Sequence, residues 1–466
     1  MKINFRPKNK TMTYITAIDI GTSHISGVVG KREENGRFSI VSYATEDCSS
    51  CVRRGNVYNL KETADSISKL IAKLETRLEG GTINKVYVGV GGQSLRTVCH
   101  SESVAIKKDM TVTDADITMI RGKCEMYKPN GKDMLGVAQT IYYVDGRMEQ
   151  LPVGVIAKKL EARSQLVVAR ETVCNSIRSC FETIVNKEIA GICASILALA
   201  DASLSTAEKE IGCALVDFGA GVTNIAVYKK GELLMMSTIP LGSNLITQDL
   251  IPALKITYSE AERLKIQYGS AILKKEDKEI DVDMDGLKGK VKLNMLNAVI
   301  EARATEIIEN IHSIINDTVN LKSLGGIKIT GRGAKLNSFA ELLKNRSKVK
   351  VSNAAIRSEF FHEFESITKD ILYMNAISLM LKGTESCVTF STPTVELEAN
   401  PPEKKEIVKK EKDKKIKKTE KKPENRDEED VQQKPEIKTN EEEKANFIEK
   451  VKKTFGKVVD IVTTEN

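Results

Sequence analysis

Tryptophan is absent, the aromatic residues together make up 5% of the chain, and histidine occurs 4 times in 466 residues. The cores must therefore rest on Ile, Leu, Val and Ala. Long apolar runs are missing as well. The longest, Ile189–Ala200, falls short of the ~20 residues with which a helix crosses a bilayer. Met1–Lys10 is basic, but no long apolar run follows it before Asp19, so a secretory signal is not expected. Metal-ligand spacing is lacking too. Cys48 and Cys51 form a C-x-x-C with no second pair, and His24 and His100 are not at ligand spacing, so neither zinc nor redox chemistry is expected there. The 9 cysteines lie scattered through apolar segments, as at Cys193 and Cys213, which fits buried reduced thiols in a cytosolic protein. The net charge of +7 is mild, its location matters more than its size, and no nucleic-acid partner is expected.

What is present is a stretch that occurs twice. Residues 14–29 and 212–228 each read as an apolar run, an Asp-x-Gly with small residues, and a second apolar run. Each predicts a β-hairpin with a tight glycine turn. One Asp-x-Gly is ordinary turn chemistry. A pair is stronger evidence, because glycine lets the backbone approach an anion and turn amides can point at its oxygens. An Asp at the strand end can hold Mg²⁺, which keeps several waters and takes few carboxylates directly. A third element, Ile327-Lys-Ile-Thr330-Gly331-Arg332-Gly333-Ala334, predicts a strand, a glycine-rich turn and a helix start able to meet an anion.

The length of the chain implies two or three domains. Strands are expected at Phe38–Tyr43 and Lys85–Val90, and an amphipathic helix over 60–79. Residues 86–168 read as an inserted unit, with strands at Gly136–Val144 and Gln165–Val168, a helix starting near Thr113, and no phosphate motif. A helix is expected over 171–186, and a small-residue helix over Glu188–Ser203. Further helices are expected at 245–254, at 259–269 with a cap and a terminal glycine, at 295–320 with an Ile300–Ile315 stripe, and at Ile371–Leu381. Glu262 and Lys265 share a helix face, as a surface salt bridge or as a polar clamp on a ribose.

Composition changes after Ser391. Thr392–Lys444 is Lys, Glu and Pro with few apolar residues, and is expected to be disordered. A coil of that length spans on the order of 40 Å. Asn446-Phe-Ile-Glu449 then resembles a capping box. Phe447, Ile448, Val451, Phe455, Val458, Val459 and Val462 fall within an arc of roughly 120° at about 100° per residue. Lys450, Lys452, Lys453 and Lys457 occupy the rest of the circumference. A basic amphipathic helix on a tether reads as an anchor to an anionic membrane surface. The plain alternative is a helix that docks in a protein groove or on its own core. Each lysine near the lipid contributes about 1 kcal/mol, so one helix should bind weakly and reversibly, and stable attachment needs many presented together.

These motifs resemble those of the actin-like ATPase superfamily. Asp19-Ile-Gly21-Thr22-Ser23 resembles its first phosphate loop, Asp217-Phe-Gly219-Ala-Gly221-Val-Thr223 its second, and Thr330-Gly331-Arg332-Gly333-Ala334 its adenosine loop. Within it, the chain is similar to the FtsA family of bacterial cell-division proteins over about residues 13–385 and the terminal helix. The inserted segment, Ile239-Pro-Leu-Gly-Ser-Asn244 and the tethered helix carry that likeness. The resemblance implies an α/β two-lobe fold of duplicated RNase H-like sheets. Subdomain 1A would span 13–85 with 169–205 and about 358–388, and an SHS2-like subdomain 1C would span 86–168. Subdomain 2A would take 206–254 and 319–357, and 2B would take 255–318. A disordered charged linker at 392–445 and a membrane-targeting amphipathic helix at 446–463 would follow.

It also implies ATP and Mg²⁺ as ligands, with Asp19 and Asp217 on the metal through water and Glu262 and Lys265 facing the adenosine. Implied partners are other copies in a polymer and the C-terminal peptide of the tubulin-like protein FtsZ, docked on 2B. The implied location is the cytoplasmic face of the cell membrane at the division site. Two positions depart from the family pattern. Arg332 stands where a further glycine is common, to narrow the base pocket or stack on adenine. Near Ala194-Ser195, relatives that hydrolyse ATP place a Gln or Glu, so slow or absent hydrolysis is expected. A kinase on the same fold would need a catalytic Asp and an acceptor pocket. A chaperone-type ATPase would need a β-rich peptide-binding domain, which residues beyond 391 cannot build.

Overall fold

Thr13–Ile20 and His24–Arg32 pair antiparallel, with Asp19 opposite Ser26 and Ile20 opposite Ile25. In the computed structural model, which describes residues 13–106, 110–273, 278–284, 287–363 and 366–390, this hairpin lies at the centre of a five-stranded sheet. Strand Phe38–Asp47 extends it antiparallel on one side. Lys85–Val90 and then Glu188–Ala194 extend it in parallel on the other. The second sheet repeats the pattern. Cys213–Phe218, Thr223–Lys229 and Glu232–Ile239 form the antiparallel meander, and Gly326–Thr330 and Val351–Asn353 add in parallel. The central strands are near-continuous Ile, Val and Ala, buried on both faces, as strands covered by helices on either side must be.

Helix Leu60–Glu75 covers one face of the first sheet through Ile67, Leu70, Ile71 and Leu74, with its first turn capped by the Asn59 side chain. Gly27 leaves room for it: a Cβ there would lie 2.8 Å from Leu74 Cδ1. Helices Ser195–Ser203 and Met374–Met380 pack together on the core of the first lobe. The segment 188–203 is therefore a strand followed by a helix, not one helix. Ile189 to Ala194 supply the fifth strand that the parallel edge of Lys85–Val90 requires, and that unpaired edge outweighs local helix preference. Helix Glu171–Arg178 runs on as a π-helix over Ser179–Ile184.

Lys85–Val90 belongs to the first sheet, so residues 86–90 lie outside the insertion. The insertion proper carries strands Arg96–Ala105, Lys132–Val144, Arg147–Glu149 and Lys159–Arg170 and the helix Asp114–Glu125. Thr113 and Asp116 form the capping box at that helix start. Val104, Val112, Ile120, Val144 and Leu160 give the insertion a small core of its own. It docks on the outer strand of the second lobe. Ser237 pairs with Arg96, and Met236 N–H donates to Thr97 Oγ1 at 2.9 Å. Gln139 accepts from Leu233 N–H at 2.5 Å and donates to the Gly231 carbonyl at 3.3 Å.

The rest of the second lobe contains helices Asn244–Leu254 and Tyr258–Tyr268, the hairpin Glu279–Met284 and Leu287–Lys292, and the long helix Leu293–Thr318. The Ile300, Ala304, Ile307, Ile308, Ile311 and Ile315 stripe is buried as its spacing predicts. The helix expected at 259–269 spans Tyr258–Tyr268, and its cap is Thr257. The last described strand, Val388–Phe390, pairs with Gly81–Ile83 on the first lobe. The expected linker and amphipathic helix lie outside the described residues. Among the described residues no helix is long and apolar enough to cross a membrane.

Candidate functional site: a paired glycine-hairpin cleft

The two Asp-x-Gly turns close in the same way. Gly21 N–H donates to the His24 carbonyl at 3.1 Å, and Gly219 N–H donates to the Val222 carbonyl at 3.0 Å. In each, the Asp sits at the end of a buried strand and its glycine begins the turn. The loops touch: a Cβ on Gly221 would lie 2.5 Å from Thr22 Oγ1, so only glycine allows the approach. Thr22 Oγ1 in turn accepts from Gly55 N–H at 2.9 Å. The segment after Ile239 supports the second loop from behind, with Ser243 and Asn244 N–H groups donating to the Gly219 and Ala220 carbonyls at 3.0 and 2.9 Å.

Between the loops lies a cavity of about 100 Å³. Asp19, Gly21, Thr22, Ser23, Asp217, Gly219, Gly331 and Arg332 line it, joined by His24, Ser195, Asn224 and Asn375. Gly331, at φ +87°, crosses beneath the second loop, where a Cβ would lie 2.3 Å from the Phe218 carbonyl oxygen. Gly333 is spaced by the Phe218 ring rather than by the cavity. The turn continues as a 3₁₀ segment, Arg332–Lys335, and the helix starts only at Phe339. Thr223 is buried and donates to the Leu241 carbonyl at 2.6 Å, so it stabilises the loop from outside the cavity.

Asp19 and Asp217 face each other across the cleft. Asn375 Nδ2 donates to an oxygen of each at 3.3 Å, Ser195 Oγ donates to Asp19, and Asn224 donates to Asp217 at 3.3 Å. Burial and the nearby Asp217 push Asp19 up to about 6, against the Ser195 and Asn375 hydrogen bonds. Burial likewise raises Asp217 against Asn375 and Asn224. Among the described residues no Lys or Arg is paired with either carboxylate, and no group of three or more metal-type ligands exists.

Glu262 and Lys265 stand outside this lining. Lys265 is buried and donates to Glu262 at 2.6 Å, to Thr247 Oγ1 at 2.8 Å and to the Ser243 carbonyl at 3.3 Å. Burial lowers its pKa despite Glu262, and the charge of Arg332 lowers it further. The pair is therefore a satisfied internal ion pair beside the third loop. Cys48 and Cys51 are buried free thiols, and Cys48 donates to the Gly21 carbonyl at 3.1 Å, which fits packing behind the first loop. A larger cavity of about 410 Å³ lies between the insertion, helix Ser195–Ser203 and strand Thr223–Lys229, with Asp201 at its edge already paired to Lys209 and Lys382.

Asn375, Asn224 and His24 line the cavity without belonging to any of the glycine motifs. An Asn inside Met374-Asn-Ala-Ile-Ser-Leu-Met380, an otherwise buried helix, was the available signal.

Two sheets of matching order, facing each other through matching glycine turns, define an actin-like α/β protein. A solved PilM–PilN type IV pilus biogenesis complex shares the fold, with a TM-score of 0.56 at 14% identity over 79% of this chain and 98% of that one. The model for "Cell division protein FtsA" matches residues 214–378, and that for "SHS2 domain inserted in FTSA" matches 92–168. The cell division protein FtsA of Porphyromonas gingivalis is 30% identical over 82% of this chain and 80% of its own length. That of Bacillus subtilis is 30% identical over 72% and 77%. The chain belongs to the FtsA family of cell division proteins.

The carboxylate pair makes a signed prediction. Asp19 keeps its proton to about pH 6 when folded but loses it near 3.8 when unfolded. Between those values the folded state binds more protons, so stability falls as pH rises, and the full penalty stands above about 6. That penalty is at most on the order of 3 kcal/mol. Asp19→Asn in the ligand-free protein should raise the thermal midpoint at pH 7 and flatten its pH dependence between about 4 and 6. A midpoint with unchanged pH dependence would contradict the assignment.

Proposed function

We propose that the chain is an ATP- and Mg²⁺-binding, self-assembling adaptor that ties FtsZ filaments to the inner face of the cell membrane. The observation that carries the nucleotide part is the pair of identically closed glycine turns meeting around two buried carboxylates. The turn amides of Thr22 and Ser23 and of Ala220 and Gly221 would cradle phosphates, since those of Gly21 and Gly219 close the turns, and the Gly331–Gly333 loop would lie along the adenosine. Glu262 and Lys265, an ion pair beside the third loop in the ligand-free protein, would face the adenosine only if that pair opened on binding. The residues fit Mg²⁺, because two like-charged carboxylates stand there without a paired cation and Mg²⁺ takes few direct protein ligands. When bound, Mg²⁺ would neutralise phosphate charge.

Asp217→Ala should abolish Mg-ATP binding in calorimetry while circular dichroism shows the fold retained. Wild-type affinity in that variant would remove Asp217 from the site. Of the pair Ala194-Ser195, Ser195 lines the cavity and its hydroxyl donates to the Asp19 carboxylate. No Gln or Glu stands there to orient a water, so turnover should be slow, and steady hydrolysis of many ATP per minute would count against it.

The anchoring part rests on family membership and on the lysine-edged apolar face of Phe447–Val462. Ile266, Tyr268 and Met295 expose apolar surface on the second lobe within 255–318, in keeping with an FtsZ peptide site there. With ATP, the full chain should float with anionic vesicles and carry FtsZ with it. A chain ending at Thr439 should do neither, and undiminished flotation of that shortened chain would refute the anchor.

A further inference from the structure

Arg332 stands between two glycines of the third loop, on the second lobe, and its side chain reaches the first lobe. Its Nη1 lies 2.8 Å from His24 Nδ1 and 3.2 Å from His24 Nε2. A guanidinium only donates, so the imidazole must be neutral to accept. Burial, and then the Arg332 charge, hold the His24 pKa below its usual value, which keeps the ring neutral at pH 7.

A neutral ring is a poor counterpart for a guanidinium in this protein. Arg263 grips Glu260 through two nitrogens, and Arg303 grips Asp249 likewise. Among the described residues Arg332 has no carboxylate partner. Its solvent-exposed charge stands at the mouth of the cavity lined by Thr22, Ser23, Gly219 and Ala220, where both glycine turns converge. The side chain also points toward the first phosphate loop: the Ser23 hydroxyl lies 3.0 Å from the same His24 Nδ1.

We infer that Arg332 is a phosphate ligand, parked on His24 while the cleft is empty, and that it sets the preference for nucleoside polyphosphates over monophosphates. The inference rests on the nucleotide reading above. The physical ground is partner strength. A phosphate offers several anionic oxygens to the planar fork of an arginine, whereas a neutral imidazole offers one lone pair. A phosphate arriving between the turns therefore draws the guanidinium off His24. A glycine at this position could offer the nucleotide only backbone. The arginine adds a charge from the opposite lobe, so one ligand engages the second lobe's third loop and the first lobe's phosphate loop together. His24 then has a definable part, as the resting contact that holds an otherwise solvated cation beside the first turn.

The test is calorimetric titration of the full chain with ATP, ADP and AMP in Mg²⁺. The wild-type chain should bind ATP more tightly than AMP. Arg332→Ala should weaken ATP about ten- to a hundredfold and change AMP only about two- to threefold, so that the ratio collapses. Arg332→Lys should restore part of the ratio. An unchanged ATP-to-AMP ratio in Arg332→Ala overturns the inference and leaves nucleotide binding standing. An equal loss for all three nucleotides also overturns it, since that would place Arg332 in the adenosine contact or in the fold. A wild-type chain that bound none of them would bring down both readings.

Discussion

Two aspartates of like charge, one on each lobe, are buried against a single amide. The Asn375 side chain reaches both Asp19 and Asp217, and the helix that carries it is packed into the first lobe. Burying one carboxylate without a cation is costly, and burying two side by side is more so. The hydrogen bonds from Ser195, Asn224 and Asn375 offset that cost only in part, as the raised pKa values of both acids show. The cleft is thus built around an unmet demand for positive charge. The glycine turns on either side supply amides suited to an anion. Together they suit a nucleotide, and the Mg²⁺ proposed to accompany it would meet the demand for positive charge.

The duplication explains why the site can form at all. Each lobe contributes a strand ending in Asp, a turn closed by the same hydrogen bond, and a parallel strand beside it. Neither half encloses anything alone. Between the lobes the fit depends on an absent side chain, at Gly221 against Thr22, and the second lobe's own loops depend on Gly331 against the Phe218 carbonyl and Gly242 against Ala220. Beyond that shared core the lobes differ. The first carries an insertion that has its own small core yet is hydrogen-bonded to the outer strand of the second lobe. The second carries a helical layer on which apolar side chains are exposed. The common part fits ligand binding, and the parts that differ are where recognition of other proteins can be specific to a family.

Much of this was legible beforehand, and the failures are instructive. The recurrent apolar–Asp-x-Gly–apolar pattern located both hairpins, because a buried strand and a tight turn each impose their own residue types. The Ile300–Ile315 stripe located the long helix for the same reason. The segment 188–203 reads locally as one helix because Ala, Ile and Cys suit a strand or a helix, and only the open edge of Lys85–Val90 decides between them. Glu262 and Lys265 were correctly placed on one face, yet their partners turned out to be each other, Thr247 and the Ser243 carbonyl. Asn375 gave a weak signal, since a single polar residue in an apolar helix marks a buried partner without saying which.

By itself, the order of residues settled what obeys local rules: where strands alternate with turns, which helix faces are apolar, which glycines can bear a turn, and where composition becomes too polar to build a core. The folded arrangement alone decided which of those residues meet. That Asn375 would reach two acids lying 356 and 158 positions away along the chain, and that Arg332 would cross to His24, depended on how two lobes close on each other. The physical reason is range. Turn and helix preferences act over a few neighbouring residues, whereas the electrostatics of a buried site depend on groups brought together by packing.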